Sequence, residues 1–254
     1  MKSHIGQIWS SITFASTDHV DRIQIAQAAL NAAGRGNYLE IGVRKGESFI
    51  PLRAARKWGV DPEPQLNWKR LAKSRLISLF YLKHQEIFKE TSDEFFKNHD
   101  RLLREHGIDV SLIDGLHSYE QALRDVLNCL DYLKPNGVIL MHDCNPANEI
   151  MALPAAGYAE IAARNIPNWT GLWCGDVYKA AIHLRAMRDD LNVFVLDCDY
   201  GVGVISRGRS TEKLCHSERD IQGMDYDFLE KNRKELLGLR PPDYIYEFLQ
   251  SRDN

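Results

Sequence analysis

Acidic residues follow most of the predicted strands of this chain, at the point where each strand gives way to a loop. Glu40 and Asp61 end the first two strands, and Asp114 and Asp143 end two later ones. In an open α/β sheet, ligands bind outside the carboxyl ends of the strands. Carboxylates gathered there would attract a ligand that carries positive charge and would repel one that carries phosphate.

The segment Glu40-x-Gly42-x-x-x-Gly46 is a turn in which two glycines allow the backbone to approach a ligand closely. It lacks the third glycine of the G-x-G-x-x-G pattern, which seats a pyrophosphate on a helix N-terminus. Asp61 follows Glu40 by 21 residues, at a position where an acid can accept both hydroxyls of a ribose. S-adenosylmethionine has an ammonium, a sulfonium and no phosphate, and therefore suits this pattern. The glycines alone would equally suit a plain strand-to-helix turn.

Asp114 and Asp143 are predicted to end two adjacent parallel strands, about 4.8 Å apart. Two carboxylates placed in this way would repel each other unless a cation or a shared proton lay between them. Methyl transfer to an alcohol oxygen needs a base, and a divalent metal on the hydroxyl would assist it. His117 is a candidate for that base, or alternatively a histidine bonded to backbone at a helix start. His142 is a weaker candidate, which would also suit a packed strand end.

Apolar periodicity and capping signals predict the helices and strands that position these residues. Helices are predicted over 19–33, from about Ser48 to Trp58, over 118–133 and over 177–188. Strands are predicted over 37–41, 58–60, 85–88, 110–113, 138–141, 192–196 and 202–206. Ser118 and Gln121 match a capping box at the start of the third helix, which 134–137 would terminate. Asp176 is expected to cap the helix over 177–188. The three basic residues of this helix, among them Arg185, are expected to face solvent.

Strands and helices alternate along the chain, which predicts a parallel sheet with helices on both faces. Residues 109–143 form the clearest strand–helix–strand unit, whose two strands must be parallel. The last two strands are separated only by 197–201, which is too short for a crossover helix, so they are predicted to form an antiparallel hairpin. The fold class is therefore α/β: a Rossmann-like, doubly wound, mostly parallel sheet that ends in an antiparallel hairpin.

The composition excludes several classes of function. Hydrophobic residues make up 44% and charged residues 26% of the 254 residues, the balance of an ordinary globular protein. A net charge of -3 argues against a nucleic-acid partner, which would require a basic face. No apolar run approaches the roughly 20 residues that cross a bilayer, so we expect no membrane partner. Five scattered cysteines without a C-x-x-C pair indicate reduced thiols in the cytoplasm.

We predict one domain with added segments: a helical extension over 1–36, a cofactor-binding domain over 37–208 and a charged helical extension over 209–254. Within the domain, the irregular stretch 144–175 is expected to cover the acceptor. Its Trp169 and Trp173 would either stack on the acceptor or anchor the stretch to the core. The C-terminal extension would cover a sheet edge or form a contact in a homo-oligomer.

Three segments resemble the class I S-adenosylmethionine-dependent methyltransferases: 38–48, 113–120 and 134–143. More narrowly, they are similar to methyltransferase family 24, which is related to macrocin O-methyltransferases and cephalosporin hydroxylase-like proteins. The resemblance runs from about Tyr38 to Ser206, and its Asp-Gly-x-His-Ser-Tyr and His-Asp segments are the most specific. It implies a seven-stranded sheet whose last two strands form the predicted hairpin.

The resemblance also implies roles for individual residues. Relatives of the macrocin type bind Mg²⁺ with the residues that match Asp114 and Asp143, and their base matches His117. His142 stands where some of these relatives have a second acid, so it would be a further metal ligand, softer than Mg²⁺ prefers. We expect six residues to bind S-adenosylmethionine: Glu40, Gly42, Gly46, Asp61, Ser92 and Asp114.

The predicted function is methyl transfer from S-adenosylmethionine to a hydroxyl of a small acceptor, such as a sugar or a glycosylated metabolite. One alternative is an NAD-dependent oxidoreductase on a similar sheet, which the missing third glycine disfavours. Another is a non-catalytic binding module, which would not need acids at four strand ends. A hydroxylase-like activity is a third alternative, although no His-His-carboxylate iron triad stands out in the sequence.

Overall fold

The structure, a computed structural model, describes residues 20–67, 69, 71–72, 84–209 and 212–252. Its strands are β1 (Asn37–Ile41), β2 (Arg56–Val60), β3 (His84–Phe88), β4 (Ile108–Ile113), β5 (Leu133–Met141), β6 (Leu191–Leu196) and β7 (Val202–Arg207). They form one seven-stranded sheet in the order β3-β2-β1-β4-β5-β7-β6. Strands β1 to β5 pair in parallel, and β7 is antiparallel to both β5 and β6. The predicted fold class is therefore confirmed.

Helices cover both faces of this sheet. Those that the structure describes are α1 (Arg22–Ala32), α2 (Ser92–Asn98), α3 (Asp100–His106), α4 (Tyr119–Tyr132), α5 (Tyr158–Ala163), α6 (Tyr178–Met187), α7 (Glu218–Gln222), α8 (Tyr226–Leu237) and α9 (Tyr244–Ser251). Helices α1 and α9 pack on one face, whereas α4 and α6 pack on the other. Within the described residues, no helix combines the length and the apolar character that a bilayer crossing requires.

The central strands are buried on both sides, and this divides the core into two layers. Val138 and Leu140 of β5 belong to the layer beneath α1 and α9, whereas Ile139 and Met141 belong to the layer beneath α4 and α6. Side chains alternate between the two faces of a strand, so a strand covered on both sides is largely apolar, with a few buried polar exceptions such as Glu40 of β1. Polar chemistry is consequently concentrated in the loops that follow the strands.

The helix predicted over 19–33 corresponds to α1, although His19 lies outside the described residues. The helix begins after Asp21, whose carboxylate accepts hydrogen bonds from two backbone N–H groups of the first turn. Strand β5 begins at Leu133, earlier than predicted, so the segment 134–137 belongs to the strand and does not separate it from α4.

The helix predicted from about Ser48 to Trp58 is wrong: the described chain forms turns there, and β2 begins at Arg56. Pro51 has no N–H to donate within a helix and disfavours helical backbone in the residue before it. The buried ammonium of Lys57 instead donates to the carbonyl oxygens of Phe49, of Ile50 at 3.3 Å and of Leu52 at 3.0 Å. A side chain thus supplies the donors that a helix would have taken from its own backbone.

Two of the predicted caps differ in the structure. Ser118 accepts a long hydrogen bond, 3.4 Å, from the N–H of Gln121, but the Gln121 amide donates to Ser92 and does not return to complete the box. Asp176 accepts a hydrogen bond from the N–H of Tyr119 at 2.8 Å, so its side chain caps α4 and not the helix that follows it. The expectation that the basic residues of α6 face solvent is wrong for Arg185 and for Lys179, which are both buried. Arg185 donates to the carbonyl of Val193 at 2.6 Å, and Lys179 donates to the carbonyl of Gln222 at 3.0 Å.

We expect Lys57→Met to lower the free energy of unfolding by about 3 kcal/mol, because three backbone carbonyls lose a charged donor. Urea denaturation monitored by circular dichroism measures the change. Lys45→Met, at an exposed position of the turn after β1, is the matched control and should change stability by less than about 0.5 kcal/mol. Equal losses in the two variants would contradict the role given to the Lys57 ammonium.

Candidate functional site

The ends of β4 and β5 bring four predicted site residues together. Ile113 pairs with Met141 at the end of the two strands, so the residues that follow them are neighbours. The Nε2 atom of His117 lies 3.6 Å from Asp114 Oδ1, and its Nδ1 atom lies 3.2 Å from Asp143 Oδ2. The Nδ1 atom of His142 lies 3.4 Å from Asp114 Oδ1 and 3.2 Å from Asp143 Oδ2. The predicted proximity of Asp114 and Asp143 is therefore present in the structure.

The donor atoms at this edge suit a divalent cation. Asp114, His117 and Asp143 each offer one ligand atom, and these atoms lie within 4.8 Å of one another. Carboxylate oxygens are the ligands that Mg²⁺ takes, whereas imidazole suits transition metals better. The two carboxylates fit the predicted Mg²⁺ site, and the histidine would be its least suitable member.

The contacts of His117 fix which nitrogen carries a hydrogen. Nδ1 lies 2.7 Å from the carbonyl oxygen of Trp173, which can only accept, so Nδ1 is the donor. The ring also stacks on the Trp173 indole, with 5.1 Å between centroids and 22° between planes. Burial lowers the pKa of His117, but its hydrogen bond to Asp114 and the charges of Asp143 and Asp114 raise it by more, so it lies above its ordinary value.

His142 is 7% exposed and is surrounded by acids, with Asp199 Oδ1 lying 3.4 Å from Nε2 on the side away from Asp143. Burial lowers the pKa of His142, but the charges of Asp143 and Asp114 raise it well above its ordinary value. Burial has the opposite effect on an acid and raises the pKa of Asp114. The two histidines lower the pKa of Asp114 by more, to well below its usual range. His142 in this arrangement offsets part of the charge of the three acids, and its role as a metal ligand stays a prediction.

Two members of the site were not predicted. Asp199 lies in the turn between β6 and β7, and Arg22 is the first residue of α1. The Nη1 atom of Arg22 lies 2.8 Å from Asp199 Oδ2, and its Nε atom lies 3.4 Å from Asp114 Oδ2. Asp114, Asp143 and Asp199 are called the acid cluster below.

The end of the stretch 144–175 is fastened against His117. Gly175 has φ +61°, and a Cβ atom there would lie 1.8 Å from the carbonyl oxygen of His117, so only glycine allows this approach. The indole N–H of Trp173 donates to the carbonyl of Leu153 at 2.7 Å. Trp173 therefore anchors the stretch, as one of the two predicted alternatives has it, whereas the Trp169 ring is half-exposed.

The glycine turn after β1 packs tightly against the neighbouring strand end. Gly42 has φ +90°, and a Cβ atom there would lie 1.9 Å from the carbonyl oxygen of Asp114. Gly46 has φ +73°, and its own Cβ atom would meet the side chains of Leu66 and Ile50. Both glycines are thus required by the backbone conformation and the packing of the turn.

Asp61 is half-exposed at the carboxyl end of β2, as predicted. Its Oδ2 atom accepts a hydrogen bond from the N–H of Arg44 at 2.7 Å, and its Oδ1 atom accepts one from the N–H of Glu63 at 2.8 Å. Each carboxylate oxygen can accept a further hydrogen bond. The position fits the predicted contact with ribose hydroxyls.

Glu40 and Ser92 lie deeper than the sequence suggested. Glu40 is fully buried beneath the glycine turn, where its carboxylate accepts hydrogen bonds from Tyr38 Oη at 2.5 Å and Ser48 Oγ at 2.7 Å. Burial raises its pKa to about 7. Ser92 is buried between α2 and α4, where it accepts a hydrogen bond from the Gln121 amide at 3.1 Å. Direct contact of either residue with a cofactor stays a prediction.

Residues 39–144 match the model of methyltransferase family 24, described as a methyltransferase domain. The matched segment begins in β1 and ends just after Asp143, so it contains the glycine turn and most of the site. The match confirms the predicted resemblance to this family over that segment, which is less than half of the chain. A search of curated proteins finds no match to the chain.

Several solved methyltransferase structures are similar to this chain. The O-methyltransferase from Bacillus cereus in complex with SAH shares 15% identity, with a TM-score of 0.44 and coverage of 76% of this chain and 84% of that chain. SAH-bound PaMTH1 from Podospora anserina shares 17% identity, with a TM-score of 0.44 and coverage of 74% and 80%. MycE of the mycinamycin pathway, in complex with Mg, SAH and mycinamycin VI, shares 14% identity, with a TM-score of 0.40 and coverage of 69% and 45%. The fold class of this chain is assigned from its own strand order and not from these similarities.

The raised pKa of Glu40 predicts a pH dependence of stability. Because the folded carboxyl binds its proton more tightly than the unfolded one, Glu40 favours folding at low pH, and this contribution is lost as the pH rises from about 4.5 through about 7. We expect Glu40→Gln to lose less unfolding free energy than the wild type between pH 5 and pH 8. Urea denaturation at both pH values measures it, with Glu63→Gln as the exposed control. A pH dependence equal to that of the wild type would contradict the burial argument.

Proposed function

We propose that this protein is an S-adenosylmethionine-dependent O-methyltransferase that acts on a hydroxyl group of a small acceptor. The observation that carries the proposal is the meeting of Asp114, His117 and Asp143 within 4.8 Å at the ends of β4 and β5, in a chain with a methyltransferase domain. Such a group can orient a hydroxyl and remove its proton, which are the two tasks of methyl transfer to oxygen. The methyltransferase match also disfavours the oxidoreductase alternative.

His117 is the proposed general base. Its Nδ1–H is held by the Trp173 carbonyl, so in the neutral ring Nε2 has the free lone pair. Nε2 would accept the hydroxyl proton of the acceptor as its oxygen takes the methyl group that the cofactor would supply. Asp114 Oδ1, 3.6 Å from Nε2, stabilises the resulting imidazolium. Trp173 keeps the ring in place through stacking and through its carbonyl oxygen.

Asp114 and Asp143 are the residues that would hold a divalent cation, such as Mg²⁺. A bound cation would supply Lewis acidity and lower the pKa of a hydroxyl placed next to it. His117 has only one nitrogen free, since Nδ1 is engaged by Trp173, and that nitrogen cannot bind a cation and accept a proton at the same time. We therefore assign His117 to proton transfer and the two carboxylates to the cation.

The loop between β1 and β2 is the proposed cofactor site. S-adenosylmethionine supplies an activated methyl group on a sulfonium. Asp61 would accept the ribose hydroxyls, and the turn from Gly42 to Gly46 would lie against the rest of the molecule. Glu40 supports this turn from beneath through its hydrogen bond with Ser48.

The stretch 144–175 is the proposed acceptor cover. Tyr158 is 49% exposed, and its ring centroid lies 5.6 Å from that of Trp169, so two aromatic rings are available to stack on an acceptor. The guanidinium of Arg44, in the glycine turn, lies 5.8 Å from the centre of the Tyr158 ring, which brings the cover next to the cofactor loop. A sugar or a glycosylated metabolite suits a site that combines aromatic rings with several carboxylates. The free cysteines suit a reducing compartment, and we propose a cytoplasmic location.

We expect Asp61→Ala to weaken binding of S-adenosylhomocysteine at least about tenfold, because the ribose hydroxyls lose a charged acceptor. Isothermal titration calorimetry measures the affinity. Glu63→Ala, an exposed acid two residues away, is the control and should bind as the wild type does. Failure of the wild type to bind this ligand, or binding of NADH in its place, would contradict the cofactor assignment.

We expect His117→Ala to lower methyl transfer at least about 100-fold, because the acceptor proton has no base to receive it. Transfer of a labelled methyl group to a panel of sugars and glycosides measures the rate. His84→Ala, at an exposed position on the edge strand β3, should retain activity. Binding of S-adenosylhomocysteine should survive in both variants. Undiminished transfer by His117→Ala would rule out the assigned base.

A further inference from the structure

Arg22 reaches the acid cluster from the start of α1. Both its Nη1 atom, at 2.8 Å, and its backbone N–H, at 3.1 Å, donate to Asp199 Oδ2. Its Nε atom faces Asp114 Oδ2 at 3.4 Å and, although buried, has no hydrogen-bond partner in the described part of the chain. Asp199 therefore holds a guanidinium next to one of the two carboxylates of the proposed cation site.

We propose that Arg22 competes with a divalent cation for Asp114, and so sets the affinity of the site for metal. The inference rests on the proposed role of Asp114 and Asp143 as the residues that hold the cation. Arginine keeps its charge at any physiological pH, so this competitor is always present. Both oxygens of Asp114 already face positive or hydrogen-bonding groups: Oδ2 faces Arg22, and Oδ1 faces His117 and His142. A cation must share these oxygens or displace a partner.

Electrostatics predicts the direction in which each charge changes the affinity for a cation. The side chains of Arg22 and Asp114 are only 21% and 17% exposed, so water screens the repulsion between a bound cation and the guanidinium incompletely. Asp199 has the opposite effect, because its carboxylate compensates the guanidinium and attracts a cation. Loss of the charge of Arg22 should therefore tighten metal binding, whereas loss of the charge of Asp199 should weaken it. A merely structural role would weaken binding in both cases.

The test is titration with Mn²⁺, with free Mn²⁺ measured by electron paramagnetic resonance. We expect Arg22→Met to bind Mn²⁺ at least about tenfold more tightly than the wild type, and Asp199→Asn to bind it more weakly. Arg53→Met, an exposed arginine away from the acid cluster, is the control and should match the wild type. If Arg22→Met is unstable, Arg22→Gln replaces it in the titration. The glutamine is neutral and can still hydrogen-bond to Asp199, and the same tighter binding of Mn²⁺ is expected.

Equal or weaker Mn²⁺ binding by the neutral variants of Arg22 would overturn the inference, as would undetectable binding in these variants. Calorimetric titration with S-adenosylhomocysteine in the absence of metal is the separate readout for the proposed function. Absence of that binding in the wild type would contradict the methyltransferase proposal, while the Mn²⁺ comparison would still decide the role of Arg22.

Discussion

The crowding of three carboxylates at one edge of the sheet is the constraint on which the site depends. The side chains of Asp114, Asp143 and Asp199 are between 6% and 17% exposed, and anions with so little water must be paired. Their partners are Arg22 and two histidines, which come from a helix, a loop and a strand end. Because Arg22 comes from α1 and Asp199 from the β6–β7 turn, whereas the other members follow β4 and β5, the cluster is complete only when α1, the sheet and the β6–β7 turn are assembled together.

The arrangement of the strands and the position of Asp114 beside Asp143 could be predicted from the sequence. A strand–helix–strand unit with a helix of ordinary length places its two strands in parallel, and here they are also neighbours, so their carboxyl ends meet. The five residues between the last two strands likewise exclude a crossover. The family match, over 39–144, includes this strand–helix–strand unit.

Other parts of the site required knowledge of contacts distant in sequence. The position of Asp199 had a signal: β7 runs antiparallel to β5, so the turn before β7 must lie beside the carboxyl end of β5. Arg22 had none, because an arginine at a helix start is ordinary. The wrong prediction of a helix over 48–58 rests on the apolar residues of that segment. Turns bury these residues equally well, because the Lys57 ammonium supplies hydrogen-bond donors to the backbone carbonyls. Arg185 was predicted to face solvent, but its guanidinium is buried because it donates a hydrogen bond to the carbonyl oxygen of Val193 in β6.

The contact between α1 and α9 joins the first and the last described helices of the chain. Ile25 of α1 and Phe248 of α9 belong to the same buried layer beneath the sheet, and Arg22 lies one helical turn before Ile25. Helix α9 therefore braces α1. The guanidinium that faces the acids thus depends for its support on a helix from the opposite end of the described chain, so disruption of α9 packing would loosen the charge balance at this edge of the sheet.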